Sequence, residues 1–280
     1  MVNGPHGHKN GYSMTNTTGG ESSWVELLAH AERLLHLVEN SPPKGEFPVT
    51  PSANIHIVSM FCRARRLYAG VLILLRAELP EEAAILARKL FEISLYLQEL
   101  ETDPQNRFAL VFGWVNRSIN EEFGLLKACA PQPGLDEAFA TLEKRRKENN
   151  ENASELGVSF LTFLETKIAA KQFRRSGDIL IYKRAHESVH GSEAARMFAT
   201  QRPAEDTIGI YEKTGNVIVL THFAHFAAKS MVAAAKATLA IFGWTLPPEL
   251  EQTVGDIEQI LDSNAGEQAT APLSPPLHPS

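Results

Sequence analysis

PEEAAILARKLFEISLYLQELE, residues 80–101, decides the fold. Pro80 suits the first turn of a helix, where its missing N–H is no loss. Leu86, Leu90, Ile93 and Leu97 follow at spacings of four, three and four, which is one seam of an α-helix. Ile85, Phe91, Leu95 and Tyr96 cover much of the remaining circumference, so the helix is apolar on most sides and belongs in an interior. A helix of that kind needs other helices around it, and the flanking sequence supplies them.

Upstream, Trp24, Leu27, Leu28, Ala31, Leu34, Leu35 and Val38 recur in threes and fours from a start near Ser22 or Ser23. Four prolines between Ser41 and Pro51 mark a loop, and the chain then reads helical from Ser52 to about Leu79, antiparallel to the helix that Pro80 opens. Downstream, Pro104 opens a helix through Phe123 and Leu126, and Leu135 to Glu155 is a polar, exposed helix carrying Lys144-Arg145-Arg146-Lys147 as a solvated face. Further helices are expected at Ser159–Phe173, Asp178–His190, briefly after Ser192, at Gly215–Gly243 and at Pro247–Leu261. No strand pattern stands out. The expectation is an all-α, irregular bundle of about eight or nine helices, with a single domain at 21–263, a disordered segment at 1–20 and a disordered proline-rich tail at 264–280.

Bulk properties narrow the classes. At 44% hydrophobic and 21% charged, the 280 residues can bury a sizeable core. A net charge of -6 argues against an overall basic coat for nucleic acid, although local cationic stripes can still hold phosphates. Cys62 and Cys129 show no CxxC spacing and read as buried free thiols in a reducing compartment. The first residues lack the apolar run of a signal peptide, and His222, His225, Lys229 and Lys236 interrupt the longest apolar stretch, so the expectation is a cytoplasmic protein without a membrane span.

The densest chemistry lies at Tyr182-Lys-Arg-Ala-His-Glu-Ser-Val-His190-Gly191-Ser192. Helical rotation puts Tyr182, His186, Val189 and His190 on one face, with Lys183 at its margin and Arg184 pointing away. In the last turn before Gly191, His190 would feel the negative end of the helix dipole, which favours a protonated imidazole. Lys183 is its nearer helical partner. Arg88 and Glu92, four apart on the interior helix, form either an internal ion pair or a solvated edge. Glu81 and Glu99 on the same stripe favour the edge. His222 and His225 with Lys229 and Lys236 make a basic stripe, and Arg65 and Arg76 could extend a positive surface. HxxH without a wider ligand set gives no metal site, and no cofactor motif is present.

The Arg88-x-x-x-Glu92 helix followed by Tyr182-Lys183 and Val189-His190-Gly191-Ser192 resembles an uncharacterised bacterial family of unknown function over roughly Ser52 to Ala240. That family's pattern has Arg where this chain has Lys183, and Ser where it has His186. The resemblance implies a helical fold and no particular activity. Arg184 and His190, or Lys183 and His190, also resemble the Arg-to-His spacing of the HEPN superfamily of helical nucleotide-binding domains. That likeness implies metal-independent RNA cleavage at a dimer interface, with His190 moving a proton and Arg184 or Lys183 stabilising charge. The alternative is a non-catalytic module that holds a nucleotide, an RNA end or another anion with Arg88, Glu92, Tyr182 and His186, or a structural homo-oligomer.

Overall fold

In the computed structural model, the residues described are 18–40, 47–48, 51–129, 134–189, 200–204, 207–210 and 217–269. They form nine α-helices: α1 Thr18–Asn40, α2 Ala53–Arg76, α3 Pro80–Thr102, α4 Arg107–Cys129, α5 Leu135–Glu155, α6 Thr166–Gln172, α7 Asp178–Val189, α8 Val217–Ile241 and α9 Pro248–Ala269. The body of the chain is therefore all-α, as the periodicity predicts.

α3 is the centre. It packs most extensively on α8 and then on α2, while α1 lies against α9, α8 and α2. Ala83, Ala84 and Ala87 of α3 are fully buried, as are Ala224, Ala227, Ala228, Ala234 and Ala235 of α8. Small side chains on both helices let the backbones approach closely, and Leu90, Phe91, Leu95, Leu97 and Phe226 fill the space beside them. Each large side chain fully buried there contributes about 1.5–3 kcal/mol relative to exposure. The link from α2 to α3 is three residues long, with Glu78 in left-handed space (φ 57°) and Leu79 N–H bonded to Leu74 O at 2.9 Å. That 6→1 closure satisfies the end of α2, and Pro80 begins the return. Tyr68 ties α2 to α1 by donating its buried hydroxyl to Ala31 O at 2.9 Å.

Several boundaries differ from expectation. α1 begins at Thr18, inside the segment expected to be disordered, and α9 runs past Leu261 and 264 to Ala269; no proline interrupts either stretch. α4 starts at Arg107 rather than Pro104. Asp103 first accepts hydrogen bonds from the Asn106 backbone (3.3 Å) and side chain (3.0 Å), and Arg107 Nε caps α3 at Leu100 O, 2.7 Å away. Thr200–Ala204 and Thr207–Ile210 pair as an antiparallel hairpin where no strand was expected. Thr207, Ile208 and Ile210 are β-branched, and the register slips between Gln201 and Ala204, where Pro203 has no N–H to give. In the proline-rich loop, Phe47 packs its ring on Phe242 (5.0 Å) and Trp244 (4.9 Å). The helix expected after Ser192 and the tail beyond Ala269 lie outside the described residues.

The largest departure is at Ser159–Phe173, expected as one helix. Only Thr166–Gln172 is helical, and 158–165 is an extended strap across α3 and α4. Tertiary bonds outbid the local helix here: Leu161 N–H goes to Ala109 O at 3.1 Å, and Leu164 N–H to the Glu99 carboxylate at 3.1 and 3.3 Å. The crossing needs Gly113, because a Cβ at that position would lie 1.8 Å from Leu161 O. Gly124, on the same helix, has nothing within 4 Å of its Cβ position. Gly113→Ala is therefore expected to lose about 1–3 kcal/mol by displacing the strap, and Gly124→Ala to gain about 0.5–1 kcal/mol from helix propensity. Urea unfolding of the two variants checks this opposition of sign; equal effects would contradict the account of the strap.

Candidate functional site

Glu92 is where distant parts of the chain meet. Its side chain is 12% exposed, and it is approached by Arg88 Nε at 3.4 Å and Lys89 Nζ at 2.8 Å from its own helix. From α7, Tyr182 donates its hydroxyl to Glu92 Oε1 at 3.0 Å, across 90 positions of sequence. The Arg88 guanidinium lies over the Tyr182 ring, 5.3 Å from its centre. The solvated-edge expectation for Arg88 and Glu92 is thus overturned. Helical rotation alone put Glu81 and Glu99 on the same stripe, but α7 and the strap cover the middle and lower part of it. A partly buried carboxylate is tolerated because three donors replace its water.

Beside Glu92 opens a cavity of about 600 Å³. α2 supplies Arg63, α3 supplies Lys89, Glu92 and Tyr96, α4 supplies Trp114, Arg117 and Glu121, and the strap from Thr162 to Glu165, with Thr166 of α6, forms the last wall. Tyr96 stacks on Phe163 of the strap, with centroids 4.5 Å apart and an interplanar angle of 18°. Burial first, and then the negative charge of Glu92, raise the Tyr96 phenol above its ordinary value, so it stays a donor. Arg117 pairs with Glu121 at 2.8 Å, while Arg63 makes no ion pair among the described residues. Glu99 fixes the strap from below. Burial pushes its carboxyl up, and the Leu164 N–H partly opposes that. The lining combines cations, carboxylates and aromatic faces, and suits a polar ligand that carries both an anionic group and hydrogen-bond donors.

The remaining candidates fall in different places. Lys183 is exposed on α7. The side chains of Arg184 and His186 lie outside the described residues, and so does His190, since α7 is described to Val189. Arg65 and Arg76 are not a free positive surface: they pair with Glu39 (3.6 Å) and Glu32 of α1. The basic run of α5 is matched by acids, with Arg145 bound to both oxygens of Glu122 at 2.6 and 3.2 Å. Cys62 is only partly buried, and the Cys129 side chain is not described. His222 is exposed, whereas His225 is held down to about 4 by burial first and Lys229 second.

Sequence reasoning missed Arg175. This guanidinium is 8% exposed and spends three N–H groups on three elements: Nε to Asp178 (2.6 Å), one terminal nitrogen to Ser94 Oγ of α3 (3.2 Å), the other to Ser230 Oγ of α8 (3.1 Å). It also lies 4.7 Å from the Phe91 ring centre. Each serine gives its own proton back to its helix, Ser94 to Phe91 O and Ser230 to Phe226 O, both at 2.7 Å. The lone pairs are thereby left facing the arginine. The available signal was Arg175 three residues before Asp178, with solitary serines on two otherwise apolar helices. Asp178 is the first residue of α7, and its carboxylate serves Arg175.

A family of unknown function, DUF5677, matches the chain over residues 54–202, more than half of its length and from α2 into the hairpin. No curated protein and no solved structure matches it.

Two outcomes follow from these charges. Arg175→Met should cost about 3–5 kcal/mol, because Asp178 is then left buried without its partner, and chemical denaturation reads it. His225 has a folded value below its ordinary 6.5, so the native state resists the proton that the unfolded chain accepts. Stability is whole above about pH 6.5 and falls by as much as about 3 kcal/mol as pH drops through about 4. His225→Gln should flatten that slope in a melting-temperature series from pH 7 to 4. An unchanged slope would show that His225 does not carry it.

Proposed function

We propose that this chain, which belongs to the DUF5677 family of unknown function, is a helical module that binds a nucleotide or an RNA end in the cavity beside Glu92. The observation that carries this reading is the Tyr182–Glu92 bond, which brings two sequence-distant candidates together at the edge of a recess of about 600 Å³. That volume lies in the range of small-molecule sites. Arg63 and Lys89 supply positive charge for a phosphate, Tyr96 and Trp114 supply faces on which a base can stack, and Glu92 and Glu121 accept from ribose or base donors. Carboxylates in the lining discriminate against bare inorganic anions and favour a ligand that offers donors as well as negative charge. Arg88 and Tyr182 position Glu92 from behind; His186, one turn beyond Tyr182, belongs to the same reading.

The catalytic form of this reading is an HEPN-like, metal-independent endoribonuclease in which His190 moves the proton and Arg184 or Lys183 stabilises charge. The docking of α7 on α3 favours it: with Tyr182 fixed on Glu92, the helix that leads toward His190 is held against the helix that carries Lys89, Glu92 and Tyr96.

Thermal shift with nucleoside monophosphates and diphosphates tests binding. The wild-type protein should rise by about 5 °C at a hundredfold excess over Kd, and Arg63→Ala and Glu92→Gln proteins should not respond. No shift with any nucleotide, or the same shift in both variants, contradicts the proposal. Incubation with RNA in chelator tests catalysis: cutting by wild type should vanish in His190→Ala, and cutting that persists removes His190 from the mechanism.

A further inference from the structure

On the far side of α3 lies a second cleft, of about 420 Å³, walled by Arg174, Arg175, Lys229 and Lys236 against Glu101 and Gln98. Gln98 follows Tyr96 by two residues, about 200° round the helix, so the cleft is separate from the Glu92 cavity. We infer that this cleft is a binding site for a phosphate-class oxyanion, free or as a small sugar phosphate.

Three observations carry the inference. Arg174 sits at φ 56°, a left-handed conformation that disfavours any side chain. It is the residue closing α6, with Arg174 N–H on Lys171 O at 3.2 Å and Arg175 N–H on Ala170 O at 2.7 Å, a position where glycine is the unstrained choice. The chain instead keeps a long cation there, and Arg174 makes no ion pair among the described residues. Next, the Arg175 guanidinium also lines the cleft, and only three of its five N–H groups are spent on Asp178, Ser94 and Ser230. Last, the buried Oε1 of Gln98 has no hydrogen-bond donor among the described residues. Rotation of the Gln98 side chain would bring its amide to a ligand in the cleft, Nε2 donating to an oxyanion or Oε1 accepting from a sugar hydroxyl.

The acids nearby are accounted for. Asp178 lies behind Arg175 and 4.0 Å from Lys229, Glu251 pairs with Lys236 at 3.3 Å, and Glu101 lines the cleft. The Lys236–Glu251 pair is exposed on both sides and is a weak competitor for a dianion. Arg174 is therefore the anion's main partner, with Lys229 and the Arg175 side chain beside it.

Isothermal titration of the full chain with inorganic phosphate and with ribose 5-phosphate is the test, and the tighter of the two identifies the source. Arg174→Gly and Lys229→Gln should each weaken the Kd at least about tenfold, the loss of one charge-assisted bond. Arg174→Gly should also raise the melting temperature by about 2–4 °C, because the strain is relieved. Glu78→Gly relieves the same strain at the end of α2, away from the cleft, so it should raise the melting temperature and leave the Kd alone. Arg63→Ala, which removes a cation from the Glu92 cavity, should leave it alone too. The proposal is overturned if neither probe binds, if both cleft variants bind as wild type does, or if only Arg63→Ala weakens binding, which would put the anion in the other cavity.

Discussion

One buried guanidinium holds the arrangement. A charge as deep as that of Arg175 is tolerated only when its water is replaced in full, and here a carboxylate, two serine hydroxyls and an aromatic face replace it. Those partners sit on α3, α7 and α8, so satisfying one side chain fixes how three helices meet. α7 has only twelve residues, too few to be stable alone. Held at its first residue by Arg175, it carries Tyr182 one turn further on to Glu92, and thereby closes the partly buried charge cluster next to the cavity. The same residue lines the second cleft. Packing and the proposed binding sites therefore draw on the same network.

The strap adds a second constraint of the same type. Glu99 is a buried carboxylate whose hydrogen-bond partner among the described residues is a backbone N–H, that of Leu164. In accepting it, Glu99 draws 158–165 out of helix and across Gly113, which makes the strap a wall of the cavity. Among the described residues no helix is long and apolar enough to span a membrane, and no group of three His, Cys, Asp or Glu could hold a metal ion. The chemistry legible in this structure is that of cations, carboxylates and rings.

How much of this the sequence disclosed depended on whether the cause was local. The periodicity of 80–101 was enough to place α3 in the interior, because burial on most sides is a property of one helix. Pro80 and the Pro42-Pro43 break located helix ends for a similar reason. The strap was not legible: Phe160, Leu161, Phe163 and Leu164 fit a helix as well as an extended chain, and the deciding partners, Ala109 O and Glu99, are more than fifty residues away. For the site, Arg88, Glu92 and Tyr182 were picked for their chemistry and do converge. The solvated-edge reading of Arg88 and Glu92 failed because a helical wheel carries no information about what covers it. Arg175 was passed over because its meaning lies in Ser94 and Ser230, each unremarkable where it stands.

The central claim is that Arg175, through those two serines, keeps α7 docked. Hydrogen exchange of the 178–189 backbone in the Ser94→Ala, Ser230→Ala double variant tests it most directly. The account predicts that α7 amides exchange at least about tenfold faster than in wild type, as for the loss of about 1.4 kcal/mol of local protection, while those of α2 keep their rate. α7 amides as protected as before would contradict it.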